Sequence, residues 1–159
     1  MANQREPEWK LPPVCQLGFV VSDIEKACEY YTSTFGIGPF TILEEIDMGG
    51  AILRGKPINT KIKVAFAKSG DVDVEFIQPL EGENLYTEFL ATKGEGIHHV
   101  AFQIEDMEGA LAEFARRGLT PVFHHDMGVM DFAYFDTSEF GGLMVEFLHW
   151  KQGKADGQA

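Results

Sequence analysis

The stretch GIHHVAFQIEDMEGALAEFARRG, residues 96 to 118, changes its period halfway through. Val100, Phe102 and Ile104 alternate with other residues as on a half-buried strand, and beyond Asp106 the apolar spacing becomes that of an amphipathic helix. Glu105 or Asp106 stands where a helix begins, and Gly118 where a left-handed C-cap is wanted. A second stretch, QLGFVVSDIEKACEYYTSTFG at 16 to 36, reads the same way when Gln16 is laid on His99. Phe19 then falls on Phe102, Asp23 on Asp106, Glu25 on Glu108 and Ala27 on Ala110. Here Leu17, Phe19 and Val21 form the apolar face, Ser22 or Asp23 is the cap, and Gly36 ends the helix.

The echo continues downstream. KVAFAKSGDVDVEF (63 to 76) and FAYFDTSEFGGLMVEF (132 to 147) each read as a hairpin around a glycine-containing turn, closing on DVEF and MVEF. The chain therefore predicts a strand, a helix and three strands, followed by the same again. Such a repeat means two like modules packed together, at about 13 to 80 and 96 to 150, within a single domain over 13 to 150. Residues 1 to 12 and 151 to 159, polar and without period, read as tails.

Composition narrows the function classes. At 159 residues with 45% hydrophobic content, the chain can build its core without staples. Two cysteines, Cys15 and Cys28, are too few for a disulfide framework and lie inside patterned elements, which reads as a reducing, cytoplasmic compartment. No signal peptide and no apolar run of about 18 residues is present, so no membrane partner is expected. Thirteen basic against 25 acidic side chains leave a net charge of −12, which repels phosphate backbones and makes nucleic acid an unsuitable partner.

Strand alternation then separates two neighbouring histidines. His98 shares the face of Val100 and Phe102, whereas His99 looks to the opposite side with Ala101 and Gln103. If helices cover the apolar face, His99 points into the concave side. The same reasoning turns Gln16 inward in the first module, and the apolar neighbours Val74, Phe76, Val145 and Phe147 leave Glu75 and Glu146 inward as well. Gln16, Glu75, His99 and Glu146 thus converge, one from the first and one from the last strand of each repeat. Two carboxylates, one imidazole and one amide oxygen suit a divalent cation, with positions left for water or substrate. Two acids buried together without a cation would force one to stay protonated.

Other polar residues compete for supporting roles. His124 and His125, in PVFHHDMG (121 to 128), are expected in a loop after a strand, one of them at the mouth of the site. Glu44 and Glu45 read as a charged strand end, and Tyr134 as a packing residue or a hydrogen-bond partner for substrate. The aromatic-rich segments YYTSTFGIGPF (30 to 40) and MDFAYF (130 to 135) predict an apolar cup suited to a hydrophobic substrate.

At these residues the chain resembles the vicinal oxygen chelate superfamily, which includes glyoxalase I, methylmalonyl-CoA epimerase, extradiol dioxygenases and antibiotic resistance proteins. The resemblance spans roughly Pro13 to Trp150. Its most specific stretch, KGEGIHHVAFQIEDMEGALAEFARRG (93 to 118), is similar to the second-module start of methylmalonyl-CoA epimerases, supported by KVAFAKSGDVDVEFIQPL (63 to 80) and GGLMVEFL (141 to 148). It implies an α+β fold of two βαβββ modules in a cupped, eight-stranded half-barrel, a divalent metal (Zn, Ni, Co, Mn or Fe) on the concave side, and a homodimer. It also implies that the second histidine of the pair is the ligand, in agreement with the alternation.

The departures are informative. Epimerases of the family usually carry histidine at Gln16, whereas one type of glyoxalase I has glutamine there and the same Gln, Glu, His, Glu set. The glutathione-holding positions of glyoxalase I are occupied here by Val20, Pro79 and Glu95, so the cationic clamp is missing. One histidine among the four ligands also falls short of the two that Fe(II) extradiol dioxygenases need. Some epimerases place a catalytic glutamate near what is Val64 here. The resemblance thus implies a metal-dependent isomerase, epimerase or lyase acting on a small molecule. Glu146 and Glu75 would be the bases that remove a proton α to a metal-bound carbonyl or thioester. The alternatives are a lactoylglutathione lyase of the glyoxalase I type and a non-catalytic binding or resistance protein.

Overall fold

The computed structural model describes residues 9–151. The first module comprises β1 (Val14–Val20), α1 (Ile24–Phe35) and β2 (Thr41–Asp47), a short hairpin of β3 (Ala51–Leu53) and β4 (Lys56–Ile58), then β5 (Lys61–Ser69) and β6 (Val72–Glu81). A linking helix, α2 (Leu85–Lys93), leads to the second module: β7 (Gly96–Gln103), α3 (Met107–Arg116), β8 (Phe123–Asp126), β9 (Met130–Asp136) and β10 (Met144–Trp150).

All ten strands form one sheet in the order β2-β5-β6-β1-β7-β10-β9-β8-β3-β4. The eight strands anticipated from the repeat are its first eight, arranged symmetrically about the β1/β7 seam. The two extra strands are the β3/β4 hairpin, which leaves the first module and pairs with β8 of the second through Ile52 and His124. Residues of β2, near one edge, and of β9, on the other side of the seam, line the same cavity. The sheet is therefore curled into the half-barrel that the resemblance implies.

The helices form as the caps dictate. The Asp23 carboxylate accepts from Lys26 N at 3.1 Å to start α1, and Asp106 accepts from Gly109 N at 2.9 Å to start α3. Gly36 closes α1 at φ 70°, the left-handed conformation that glycine adopts most readily. Both helices cover the convex side. α1 packs Ile24 and Cys28 on Phe76, and α3 packs Met107 and Ala110 on Phe135 and Phe147. Phe76 and Phe147, equivalent in the repeat, are 1% and 0% exposed, each contributing about 2–3 kcal/mol of burial. Trp9 and Leu11, in the stretch read as a tail, lie against this second-module cluster, with Trp9 edge-on to Phe114.

The linking helix lies beyond the reach of the repeat, because it occurs once. It is fixed by Asn84, wholly buried, whose side-chain oxygen accepts from Tyr86 N and Thr87 N at 2.9 Å each. The Asn84 amide donates to Thr60 Oγ1 at 2.6 Å, which in turn donates to the Glu81 carbonyl. This cap seats Tyr86 and Leu85 in the cup-side core with Val20, Ile77 and Tyr134. Asn84→Ala removes both the cap and the tie to Thr60, and we expect it to lower stability by about 1–3 kcal/mol in urea unfolding with an unchanged m-value.

Candidate functional site

The register of the sheet brings the repeat's polar residues together. β1 pairs in parallel with β6, Gln16 opposite Asp73 and Gly18 opposite Glu75. β7 pairs in parallel with β10, His99 opposite Met144 and Ala101 opposite Glu146. In each module the acid on the last strand therefore lies two residues beyond the partner of the first-strand ligand. The seam is antiparallel and joins Gln16 to Ala101 and Gly18 to His99.

Two irregularities at this seam re-aim side chains. His99 pairs with Gly18 but Ile97 pairs with Phe19, which leaves His98 as an extra residue on β7. Val14 pairs with Phe102 but Gln16 with Ala101, which leaves Cys15 as an extra residue on β1. Cys15 and His98 occupy equivalent places in the repeat, each directly before an inward polar group. Bulges of this kind bend the strand and are common beside active sites. One consequence is that strict alternation fails at the histidine pair. His98, expected on the helix-covered face, is 2% exposed and packs against Tyr86 and Phe89 of α2. Its Nδ1 lies 3.0 Å from Nδ1 of His99.

All four sequence-derived residues meet at His99 Nε2. Gln16 Oε1 is at 3.1 Å, Glu75 Oε2 at 3.2 Å and Glu146 Oε2 at 3.1 Å. All four residues are buried, with His99 at 0% and none above 7% exposed. The His99 ring fills the space beside Gly18 that any added Cβ would occupy. Tyr134, edge-on to the His99 ring, has its hydroxyl 2.8 Å from that of Tyr86.

The electrostatics follow from burial. Burial alone would discharge His99, but Glu146 and then Glu75 outweigh it and lift the imidazole pKa to about 9. Burial raises the Glu75 carboxyl, only partly offset by His99. His98 is pushed down to about 3 by burial first and the neighbouring His99 second, so it stays neutral. Its Nδ1 is then free to accept from His99 Nδ1–H, which leaves Nε2 of His99 to face the acids. His98 Nε2 has no partner among the described residues.

The donor set fits a divalent cation. Glu75, His99 and Glu146 each direct one ligand atom to a common point, all within 4.8 Å of one another. The Gln16 oxygen is the fourth, 3.1 Å from His99 Nε2. Turned over, the amide would instead donate to Glu75 at 3.0 Å and Glu146 at 3.2 Å. The amide orientation is thus a choice between two chemistries: oxygen inward beside a cation, nitrogen inward without one.

The remaining candidates fall elsewhere. His124 and His125 lie on strand β8 rather than in a loop, and neither lines the cavity. Glu44 and Glu45 form the expected charged face, pairing with Lys63 and Lys61. Glu95 accepts from Ser22 N at 2.7 Å on the surface, and Val64 lines the cavity. Of the aromatic segments, Tyr31 and Phe40 pack on Phe76 on the convex side, whereas Phe132 and Tyr134 reach the cup. Sequence reasoning passed over Gly18, Tyr86 and the role of His98. The lone glycine in an alternating strand, opposite the histidine pair, was the available signal for the first.

Two measurements test this geometry. Gly18→Ala should cost about 3 kcal/mol in denaturant unfolding, since the His99 ring has no room to retreat. In chelator-treated protein, His99 and Glu75 both hold protons more tightly folded than unfolded. The contribution of His99 is full below its unfolded value near 6.5 and is lost as pH rises through about 9, while that of Glu75 is full only below its own unfolded value near 4.5. The Tm of the stripped protein is therefore expected to fall between pH 6.5 and 9, and added Zn2+ or Co2+ to abolish that fall.

The chain has relatives among known proteins. A mitochondrial methylmalonyl-CoA epimerase of Mus musculus is 24% identical over 151 residues, covering 91% of this chain and 76% of its own length. The crystal structure of methylmalonyl-CoA epimerase from Mycobacterium tuberculosis superposes with a TM-score of 0.64 at 17% identity, over 94% of this chain and 95% of that one. A Streptomyces coelicolor methylmalonyl-CoA epimerase variant in complex with 2-nitronate-propionyl-CoA gives 0.63 at 17% identity, over 89% and 96%. These structures share the fold. The profile of one superfamily matches residues 15–134, across the seam, both bulges and three of the four converging residues, and the chain belongs to it: the Glyoxalase/Bleomycin resistance protein/Dioxygenase superfamily.

Proposed function

We propose that the protein is a metal-dependent isomerase or epimerase that removes and returns a proton α to a carbonyl. The observation that carries this reading is the meeting of Glu75 and Glu146, from opposite sides of the β1/β7 seam, at His99 Nε2. Gln16, Glu75, His99 and Glu146 would hold the ion. A divalent cation there would supply positive charge beside the substrate carbonyl, where negative charge develops, lowering the barrier by several kcal/mol.

The chain's own residues supply the rest. One glutamate takes the α-proton as the C–H bond breaks and its electron pair moves into the enolate. The other, on the far side of the substrate, returns a proton to the opposite face of the carbon. His98 accepts from His99 Nδ1 and so keeps Nε2 directed at the site. Support also comes from relatives named methylmalonyl-CoA epimerase. A glyoxalase I activity would need a clamp for glutathione, and Val20, Pro79 and Glu95 do not form one.

The test is isotopic. Purified protein with one divalent ion per chain should incorporate solvent deuterium at the α-carbon of its substrate. Chelation should stop the exchange, and Glu146→Gln or Glu75→Gln should slow it about 10²–10⁴-fold. Undiminished exchange in the metal-stripped protein would refute the reading.

A further inference from the structure

The walls of the cup say what kind of molecule they take. The cavity measures about 360 Å3, at the small end of the ~300–1,000 Å3 typical of small-molecule sites. Its polar groups sit at the floor: Gln16, Glu75 and Glu146, with the Tyr86 and Tyr134 hydroxyls hydrogen-bonded to each other. From there to the mouth the described lining is apolar except for Thr41, and it contains no lysine, arginine or histidine. The rim is apolar too, with Leu43 44% and Val129 69% exposed.

Away from the ion at the floor, an anionic group meets no counter-charge among the described lining residues. Lys61 pairs with Glu45 and Glu81, Lys63 with Glu25 and Glu44, and Lys151 with Asp126. The chain's net charge of −12 adds a repulsive field. A carboxylate or phosphate placed against Ile62, Phe132 or Leu148 would lose its water without gaining a partner, which is strongly unfavourable.

We propose that the site acts on an uncharged, hydrophobic carbonyl compound of about the size of a single aromatic ring with a short side chain, and not on an acyl-CoA. This inference rests on the proposed reaction for its carbonyl, but its evidence is the cavity wall. It separates this chain from relatives whose names specify methylmalonyl-CoA.

Trp150 lines the cup and provides a fluorescence reporter, while Trp9 packs on the convex side against Phe114. Metal-loaded protein is titrated with three probes: 2-hydroxyacetophenone, the same ketone bearing a carboxylate at the far end of its ring, and methylmalonyl-CoA. The neutral ketone is expected to change the Trp150 signal saturably, at least tenfold more tightly than either anion, and the signal to vanish in Trp150→Phe. Leu43→Arg, at the exposed rim, should close that tenfold gap for the ring carboxylate. Tighter binding of either anion, or saturable binding of none of the three, would overturn the proposal. Deuterium exchange into methylmalonyl-CoA would sink the substrate class and leave the reaction standing; binding of the ketone without exchange into it would do the reverse.

Discussion

Two carboxylates, Glu75 and Glu146, are buried within 3.2 Å of one imidazole nitrogen, and the rest of the molecule is organised around the positive charge they require. Taking one ionised acid out of water costs several kcal/mol, and a second beside it adds repulsion. A proton on His99 answers part of that demand; a divalent cation answers all of it, because two negative charges then meet two positive ones. Gln16 adds a neutral amide to the same point, its Oε1 3.1 Å from His99 Nε2.

Holding such a cluster together calls for a rigid frame, and the sheet provides it through repetition. The parallel pairs β1/β6 and β7/β10 carry the same register, and the antiparallel seam carries the same bulge twice, at Cys15 and at His98. A bulge adds one residue without adding a partner, so the inward group that follows it is turned relative to a regular ladder. At His98 the extra residue is put to use, because its ring lies behind His99 and accepts from its Nδ1. At Cys15 the thiol donates to the Ala101 carbonyl at 3.3 Å. Gly18 completes the frame by leaving the space that the His99 ring fills.

The parts visible in the sequence are those governed by period and repetition. Alternation turned Gln16, Glu75, His99 and Glu146 inward, and superposing two stretches paired them, because register in a half-buried sheet is fixed by which face is apolar. What escaped was singular or local. The α2 helix occurs once and depends on Asn84 meeting Thr60, 24 residues away. The bulge at His98 breaks parity, so the sequence places that ring with the packing residues and misses its contact with His99. Of the two aromatic-rich segments, only the second reaches the cup: Tyr31 and Phe40 join Phe76 on the convex side, while Phe132 and Tyr134 line a wall that is otherwise largely aliphatic and methionine.

That wall connects stability to chemistry. Ile62, Val64, Ile77 and Leu148 are there because the inner face of a curled sheet must be apolar to hold its shape, yet the same side chains keep the dielectric low around the floor. Low dielectric strengthens every interaction among Glu75, His99 and Glu146, and it keeps the Tyr86 and Tyr134 phenols protonated, with burial the first cause and the Glu146 charge the second. One tyrosine hydroxyl donates to the other at 2.8 Å, which ties the two phenols together at the floor of the cup. A cup of this kind concentrates its polarity at one point. Whatever enters must present its oxygen there and its hydrocarbon everywhere else, and selectivity among carbonyl compounds is thereby delegated to the shape and apolarity of the wall rather than to charge.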